Sequence, residues 1–327
     1  MTAPSLIRWG MIGCGSVAES KSGPAFQQAP HSTLTAVMGR HADKVRDFAL
    51  RHRIANAYTD VQHLIHDPDV DAVYIATPPD SHCELALQVA ASGKPCCVEK
   101  PMAVNSAQCR QMVDAFAQKN LPLFVAYYRR SLPRFLRIQQ WLAQERIGAI
   151  RHVHWQYCRP PSDWDLQQKF QWRTQSHLQG GGYFLDLASH GLNLLQFLLG
   201  DVTDVKGIHQ QQQHLYPADD AITACWQFNN GVTASGSWHF GGWQRQDQVT
   251  IMGSSGQIEF SVLLEQPVRL QTVSGIEVET IPHPNPIQLF HVNNMNRQLR
   301  GESQHPSQGD SAMATSKLMD RILGVID

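Results

Sequence analysis

Through the first 126 residues, short runs that are apolar from end to end alternate with longer segments whose apolar positions recur every three or four residues. The apolar runs lie at 6–12, 33–38, 72–76, 95–98 and 123–126, and the periodic segments at 17–28, 42–51, 81–91 and 106–119. A strand that is apolar on both faces has to be covered on both faces, as in a parallel sheet flanked by helices. Strand and helix alternating at this spacing predicts βαβ units and a doubly wound α/β sheet.

The pattern changes after residue 128. A helix over 134–144 ends near Gly148, which can supply a left-handed cap, and a strand of alternating character follows at 150–157. A loop rich in Pro and Trp spans 159–179, and a helix over 182–199 stops at Gly200. From 202 to 281 short β runs are separated by turns such as Asn229-Asn230-Gly231 and Gly253-Ser254-Ser255-Gly256, which predicts an antiparallel meander in an open sheet. Helices over 288–300 and 307–323 close the chain. The expected organisation is an α/β domain over 1–126 and an α+β domain over 127–327 with a mainly antiparallel sheet. An open sheet with one polar and one apolar face would leave an apolar patch exposed. Homodimerisation through that sheet, or a homotetramer of such dimers, is the expected consequence.

Composition narrows the partners. Lys plus Arg is 27 and Asp plus Glu is 28, so no net charge draws the chain toward nucleic acid. No apolar stretch approaches the ~20 residues that span a bilayer, so no membrane partner is expected. The 7 cysteines are scattered and form no Cys-x-x-Cys pair, which favours reduced thiols and a cytoplasmic location.

The first apolar run leads directly into Gly13-Cys14-Gly15-Ser16-Val17-Ala18 and then a helical segment. In this setting Gly13 permits a tight turn, Gly15 lets a pyrophosphate approach the backbone, and Ser16 and Val17 open a helix whose free N–H groups face the anion. That is the fingerprint of a Rossmann domain holding a dinucleotide. The second run ends in Gly39-Arg40-His41 with no carboxylate for a ribose 2′-hydroxyl. Arg40, with Lys44 one helical turn on, could instead neutralise a 2′-phosphate, so NADP is preferred over NAD.

The third run ends in Thr77-Pro78-Pro79-Asp80-Ser81-His82, and the fourth in Glu99-Lys100-Pro101. Further on come Trp172-Arg173 and Gly180-Gly181-Gly182, the latter with Asp186 and His190 behind it. Together and in this order, these motifs resemble the Gfo/Idh/MocA family of oxidoreductases over nearly the whole chain, with the anhydrofructose reductase type as the nearest fit. The resemblance implies an NAD(P)-dependent oxidoreductase acting on a small sugar-like substrate. It implies Lys100, Asp186 and His190 as the catalytic group, with Thr77, Pro78, Pro79, His82, Trp172 and Arg173 around the cofactor. Glu99, Lys100 and Tyr127 are expected at the cofactor as well, although Tyr127-Tyr128 stands where such enzymes carry a polar residue.

The residue chemistry points the same way. Asp186 and His190 stand four apart, on one face of an α-helix. Reducing a carbonyl needs a proton donor for the oxygen that gains charge, and imidazole titrates in the useful range. Lys100 can stabilise the same developing charge, while Asp186 positions substrate or His190. His152 and His154 share one face of a strand without a third ligand beside them, so no metal is expected. Trp164 and Trp172 are candidate pocket walls. Competing readings are a regulator or scaffold that binds NAD(P) without chemistry, and an NAD-linked polyol or inositol dehydrogenase. A regulator would have no use for the proton donor.

Overall fold

The computed structural model describes residues 5–176 and 182–326. The chain forms two compact units. The first comprises Met1–Ala103, Ala107–Leu132 and Pro284–Met313, and the second Val104–Ser106, Pro133–His283 and Ala314–Asp327. The segment 284–313, which the sequence pattern placed with the second domain, therefore groups with the first.

The first unit is built on a 6-stranded parallel sheet in the order β3-β2-β1-β4-β5-β6. Its strands are β1 (Ile7–Ile12), β2 (Ser32–Met38), β3 (Asn56–Tyr58), β4 (Ala72–Ile75), β5 (Cys96–Val98) and β6 (Leu123–Val125). A π-helical turn (Ala18–Ser22) runs into α1 (Gly23–Gln28); α2 (Ala42–His52), α3 (Val61–Ile65), α4 (His82–Ala91) and α5 (Ser106–Gln118) follow. The doubly wound sheet is as expected, but β3 and α3 are additional. At 3 and 5 residues they are too short for either periodicity to register.

Strand β4 shows why these runs are uniformly apolar. Val73 and Ile75 join one core cluster with Ala86, Val89 and Phe116, while Ala72 and Tyr74 join another with Trp9, Phe26 and Phe124. Successive side chains of one strand thus enter cores on opposite faces, and each large buried side chain contributes roughly 2–3 kcal/mol. The second of these cores also takes Val292 and Met295 of α9 (Leu289–Leu299), which explains the return of the 284–313 segment. The Trp9 indole N–H donates to Asn296 Oδ1 at 3.0 Å, fixing α9 along the sheet.

The second unit holds an 8-stranded sheet in the order β14-β13-β12-β11-β7-β10-β9-β8. These are β7 (Ile150–Cys158), β8 (Val202–Gln210), β9 (Ala221–Phe228), β10 (Thr233–His239), β11 (Gln246–Gly253), β12 (Gly256–Phe260), β13 (Val268–Thr272) and β14 (Gly275–Glu279). The unit also carries α6 (Pro133–Ala143), α7 (Asp163–Leu166) and α8 (Ser189–Leu199); α10 (Gly309–Ile322) ends the chain's regular structure. The sheet is mainly antiparallel, and β8–β10 and β11–β14 each run as the expected meander, but β7 is inserted between the two. β7 lies between β10 and β11 and pairs with β10 in parallel. Nothing in a strand's own sequence specifies a partner so far along the chain.

Val153, Trp155, Val249, Ile251, Trp226 and Trp238 line the covered face of this sheet. Helix α8 packs close to Trp155: the indole occupies the space that a Cβ on Gly191 would take. The opposite face corrects the expected apolar patch. Its alternating positions are His152, His154 and Gln156 on β7, Ser235 and Ser237 on β10, Thr223 and Cys225 on β9, and Gln248 and Thr250 on β11. His152 hydrogen-bonds Thr233 at 2.9 Å and His154 hydrogen-bonds Ser235 at 3.0 Å, so the middle strands of this face form a polar ladder, with Ile208 on β8 and Ile276 and Val278 on β14 exposed at its edges.

Candidate functional site

In the first unit the strand register builds one rim. Met38, Ile12, Ile75, Val98 and Val125 are partners in neighbouring strands, so β2, β1, β4, β5 and β6 end on the same row. The chain leaves that row at Gly39, Gly13, Ala76, Glu99 and Ala126, and the next residues include Arg40, Thr77, Lys100 and Tyr127. Strand order reverses between β1 and β4, the switch point at which open α/β sheets bind ligands.

The glycine turn fits a dinucleotide at that point. Gly13 has φ +104°, and a Cβ there would lie 2.9 Å from the carbonyl carbon and oxygen of Ala76. Apart from its chain neighbours, no atom of the described residues lies within 4 Å of a Cβ position at Gly15, leaving the open approach that a pyrophosphate needs. The first intrahelical bond is Glu19 N–H to Gly15 O at 2.9 Å, so the N–H groups of Ser16 and Val17 precede the helical ladder. Gly39 is packed against Val45 and Cys14, and Arg40 and Lys44 beyond it are exposed.

Two turns of the rim are braced together by His82. This ring is fully buried, with one nitrogen 2.8 Å from Thr77 O and the other 3.0 Å from Pro101 O. Burial pushes its imidazole below the ordinary value, so the neutral ring donates to one of those carbonyls. Glu99 is also buried. Its Oε1 accepts from Tyr74 Oη at 2.6 Å and Gln288 Nε2 at 2.9 Å, and its Oε2 accepts from the Lys100 backbone N–H at 3.1 Å. Tyr127 packs into the core beneath the rim. The side chains of His82, Glu99 and Tyr127 thus face inward, whereas Thr77 and Lys100 are half-buried and Pro78 is exposed. Pro79 is buried at the start of a short 3-10 turn.

In the second unit Gly182 begins the other candidate segment; Gly180 and Gly181 lie outside the described residues. Gly182 has φ +104°, a conformation that side-chain-bearing residues avoid. A π-helical turn (Phe184–Ala188) precedes α8, so Asp186 and His190 are not on the uniform α-helix expected from their spacing. Asp186 lies within the wider i→i+5 turn and His190 just after it in α8, and such a turn is a local irregularity frequent at functional sites. Both side chains are buried.

The sequence did not anticipate the partner of Asp186. Arg173 Nε donates to Asp186 Oδ2 at 2.6 Å, and its guanidinium lies 4.4 Å from the centre of the Trp172 ring. The loop carrying this pair is tied to the helix start. Gly182 N–H donates to Arg173 O at 3.1 Å, and Gln171 Nε2 donates to Tyr183 Oη at 2.7 Å. Tyr183 Oη donates in turn to Asp165 Oδ1 at 2.6 Å, and Asp165 closes a capping box with Ser162. Trp172 is thereby held under a cation, while Trp164 stands exposed with Lys169 Nζ 5.5 Å above its ring. Among the described residues no group of three or more His, Cys, Asp or Glu side chains could hold a metal ion, and no helix is long and apolar enough to cross a membrane.

A glycine turn at the switch point of a parallel sheet fits a dinucleotide-binding domain, here in a chain with a second α+β unit. Comparison with known proteins specifies the lineage. Residues 7–127 match the oxidoreductase family model with an NAD-binding Rossmann fold, and residues 135–259 match the GFO/IDH/MocA C-terminal domain. The chain belongs to the Gfo/Idh/MocA family. It is 36% identical over 322 residues to Oxidoreductase P35 of Formosa agariphila, covering 98% of this chain and 99% of that protein. It is 28% identical over 289 residues to the 1,5-anhydro-D-fructose reductase of Ensifer adhaerens, covering 86% and 84%. In fold it is similar to KijD10, a 3-ketoreductase from Actinomadura kijaniata crystallised with NADP and TDP-benzene. The TM-score is 0.84 at 20% identity, with 98% and 97% of the two chains covered.

Proposed function

We propose that the protein reduces the carbonyl of a small sugar-like compound with NADPH, or runs the reverse oxidation, using Lys100 and His190 as catalytic residues. The bound nicotinamide supplies or accepts the hydride. His190 donates the proton that the carbonyl oxygen takes up as charge develops on it, and the Lys100 ammonium stabilises that charge. Asp186 is held by Arg173, so it sets the position of the guanidinium and of the helix start that carries His190. Arg40 and Lys44, exposed past the end of β2 where an NAD enzyme would carry a carboxylate, favour a 2′-phosphate and hence NADP. A sugar-like substrate is supported by the name of the anhydrofructose reductase relative.

One observation carries the reading. The strand ends lie on a single row, and that row delivers Gly13, Thr77 and Lys100 to one rim. We also infer a homodimer or homotetramer through the open sheet face. Its Ser, Thr, Gln and His rows would make a hydrogen-bonded interface, measurable as particle mass by light scattering.

The test is a panel of keto-sugars and dicarbonyls with deuterated NADPH, reading cofactor consumption and deuterium in the product. His190→Ala is expected to lower turnover by about 10²–10⁴-fold with cofactor affinity unchanged. Turnover unchanged in that variant would overturn the acid role. NADPH binding with no compound reduced would favour the regulator.

A further inference from the structure

The half-buried Lys100 is preceded by a carboxylate with an unusual set of partners. Glu99 is 7% exposed, and a buried carboxylate is costly unless its charge is met. The donors that meet it here are neutral: the Tyr74 phenol on β4, the Gln288 amide preceding α9, and the backbone N–H of Lys100 itself. Burial, with Glu99 beside it, pushes the Tyr74 phenol well above its ordinary value, so this group stays protonated and remains a donor.

Gln288 is the informative member. It is 1% exposed, and while its Nε2 serves Glu99, its Oε1 is buried with no hydrogen-bond partner among the described residues. An orphaned buried acceptor lowers stability, and an apolar side chain of similar size would fill the site without it. Packing therefore does not explain the amide, but the need to hold Glu99 in one orientation does. With Oε1 clamped by Tyr74 and Gln288, Oε2 has a single direction left, and it takes the Lys100 N–H. On the far side of the same peptide segment, His82 faces Pro101 O. The backbone that carries the ammonium is thus held at the Lys100 N–H and packed against the His82 ring at Pro101.

We propose that Tyr74 and Gln288 are positioning residues that act through Glu99 to fix the direction in which Lys100 leaves the rim. This rests on the reading of Lys100 given above. It assigns part of that lysine's competence to the 284–313 segment, 189 residues downstream of Glu99 at its point of contact.

The experiment compares Gln288→Leu, Tyr74→Phe, Gln288→Glu and Lys100→Met in the full chain. Gln288→Leu and Tyr74→Phe are each expected to lower kcat by about tenfold, as a displaced catalytic group does, with NADPH affinity unchanged. Gln288→Glu sets two carboxylates against each other, so one proton is shared as pH falls. Its kcat relative to wild type should then recover toward acidic pH, whereas the ratio for Gln288→Leu should stay flat. A purely structural role would move the melting temperature and cofactor affinity without that recovery. Wild-type kcat in both Gln288→Leu and Tyr74→Phe, with Lys100→Met inactive, would overturn the positioning role and leave the lysine's role standing. Wild-type turnover in Lys100→Met would overturn both.

Discussion

Buried histidines in the first unit make its stability depend on pH in a calculable way. His291 on α9 and His305 are 1% and 3% exposed, with ring centroids 4.6 Å apart in a T-shaped contact. Ser307 N–H donates to His305 Nδ1 at 2.9 Å, and Cys97 Sγ lies 3.7 Å from His291 Nε2. Burial pushes His305 down to about 3, with the Arg130 charge adding to the effect, and pushes His291 well below its ordinary value. In the unfolded chain both titrate near 6.5. The folded values are the lower ones, so the unfolded state binds more protons below that pH. The stabilisation is complete above about pH 6.5 and is lost as pH falls toward the folded value. At about pH 5 the loss from His305 alone is about 2 kcal/mol, a substantial share of a typical folding free energy. His305→Asn removes this titration. Urea unfolding at about pH 7.5 and pH 5 should therefore show a smaller loss of stability in the variant than in wild type, by about 2 kcal/mol. Equal losses in the two proteins would refute the reasoning.

Two other substitutions probe the rim. Gly13→Ala places a methyl 2.9 Å from the Ala76 backbone at φ +104°, and should lower stability by about 1–3 kcal/mol and weaken NADPH binding by at least about tenfold. Thermal melting and fluorescence titration check this, and wild-type values in both would contradict the close approach. Arg40→Asp should shift the ratio of NADP to NAD affinity toward NAD by about tenfold or more, since it trades a cation for a ribose-binding carboxylate. A ratio unchanged by isothermal titration would remove the 2′-phosphate argument.

The parts of this molecule that could be read from sequence are those whose physics is local. Strand β4 is apolar at every position because both of its faces are covered, and Gly13 follows β1 because only glycine turns that close to Ala76. The rim residues Thr77 and Lys100 were legible for the same reason, Thr77 standing directly after an apolar run and Lys100 two residues after one. What escaped depends on distant partners. The segment 284–313 is amphipathic like any helix, and its long-range contacts, such as those of Gln288, Val292, Met295 and Asn296, tie it to the first unit. The insertion of β7 between β10 and β11 is likewise a matter of pairing. The inward roles of His82 and Glu99 were hidden because a motif specifies residue types, not the direction of a side chain. The expected apolar patch failed on a detail that was present in the sequence: Ser, Thr, Gln and His occupy alternate positions along β7, β9 and β10.

The central claim is that Lys100 and His190 serve one chemical step. Its most direct test is the rate of hydride transfer in a single turnover, measured for Lys100→Met, His190→Gln and the double variant. If both groups act on the same developing charge, the double substitution should slow the step little more than the worse single one, as residues that work as a unit do. Losses that simply multiply, or a single variant that transfers hydride at the wild-type rate, would contradict the account.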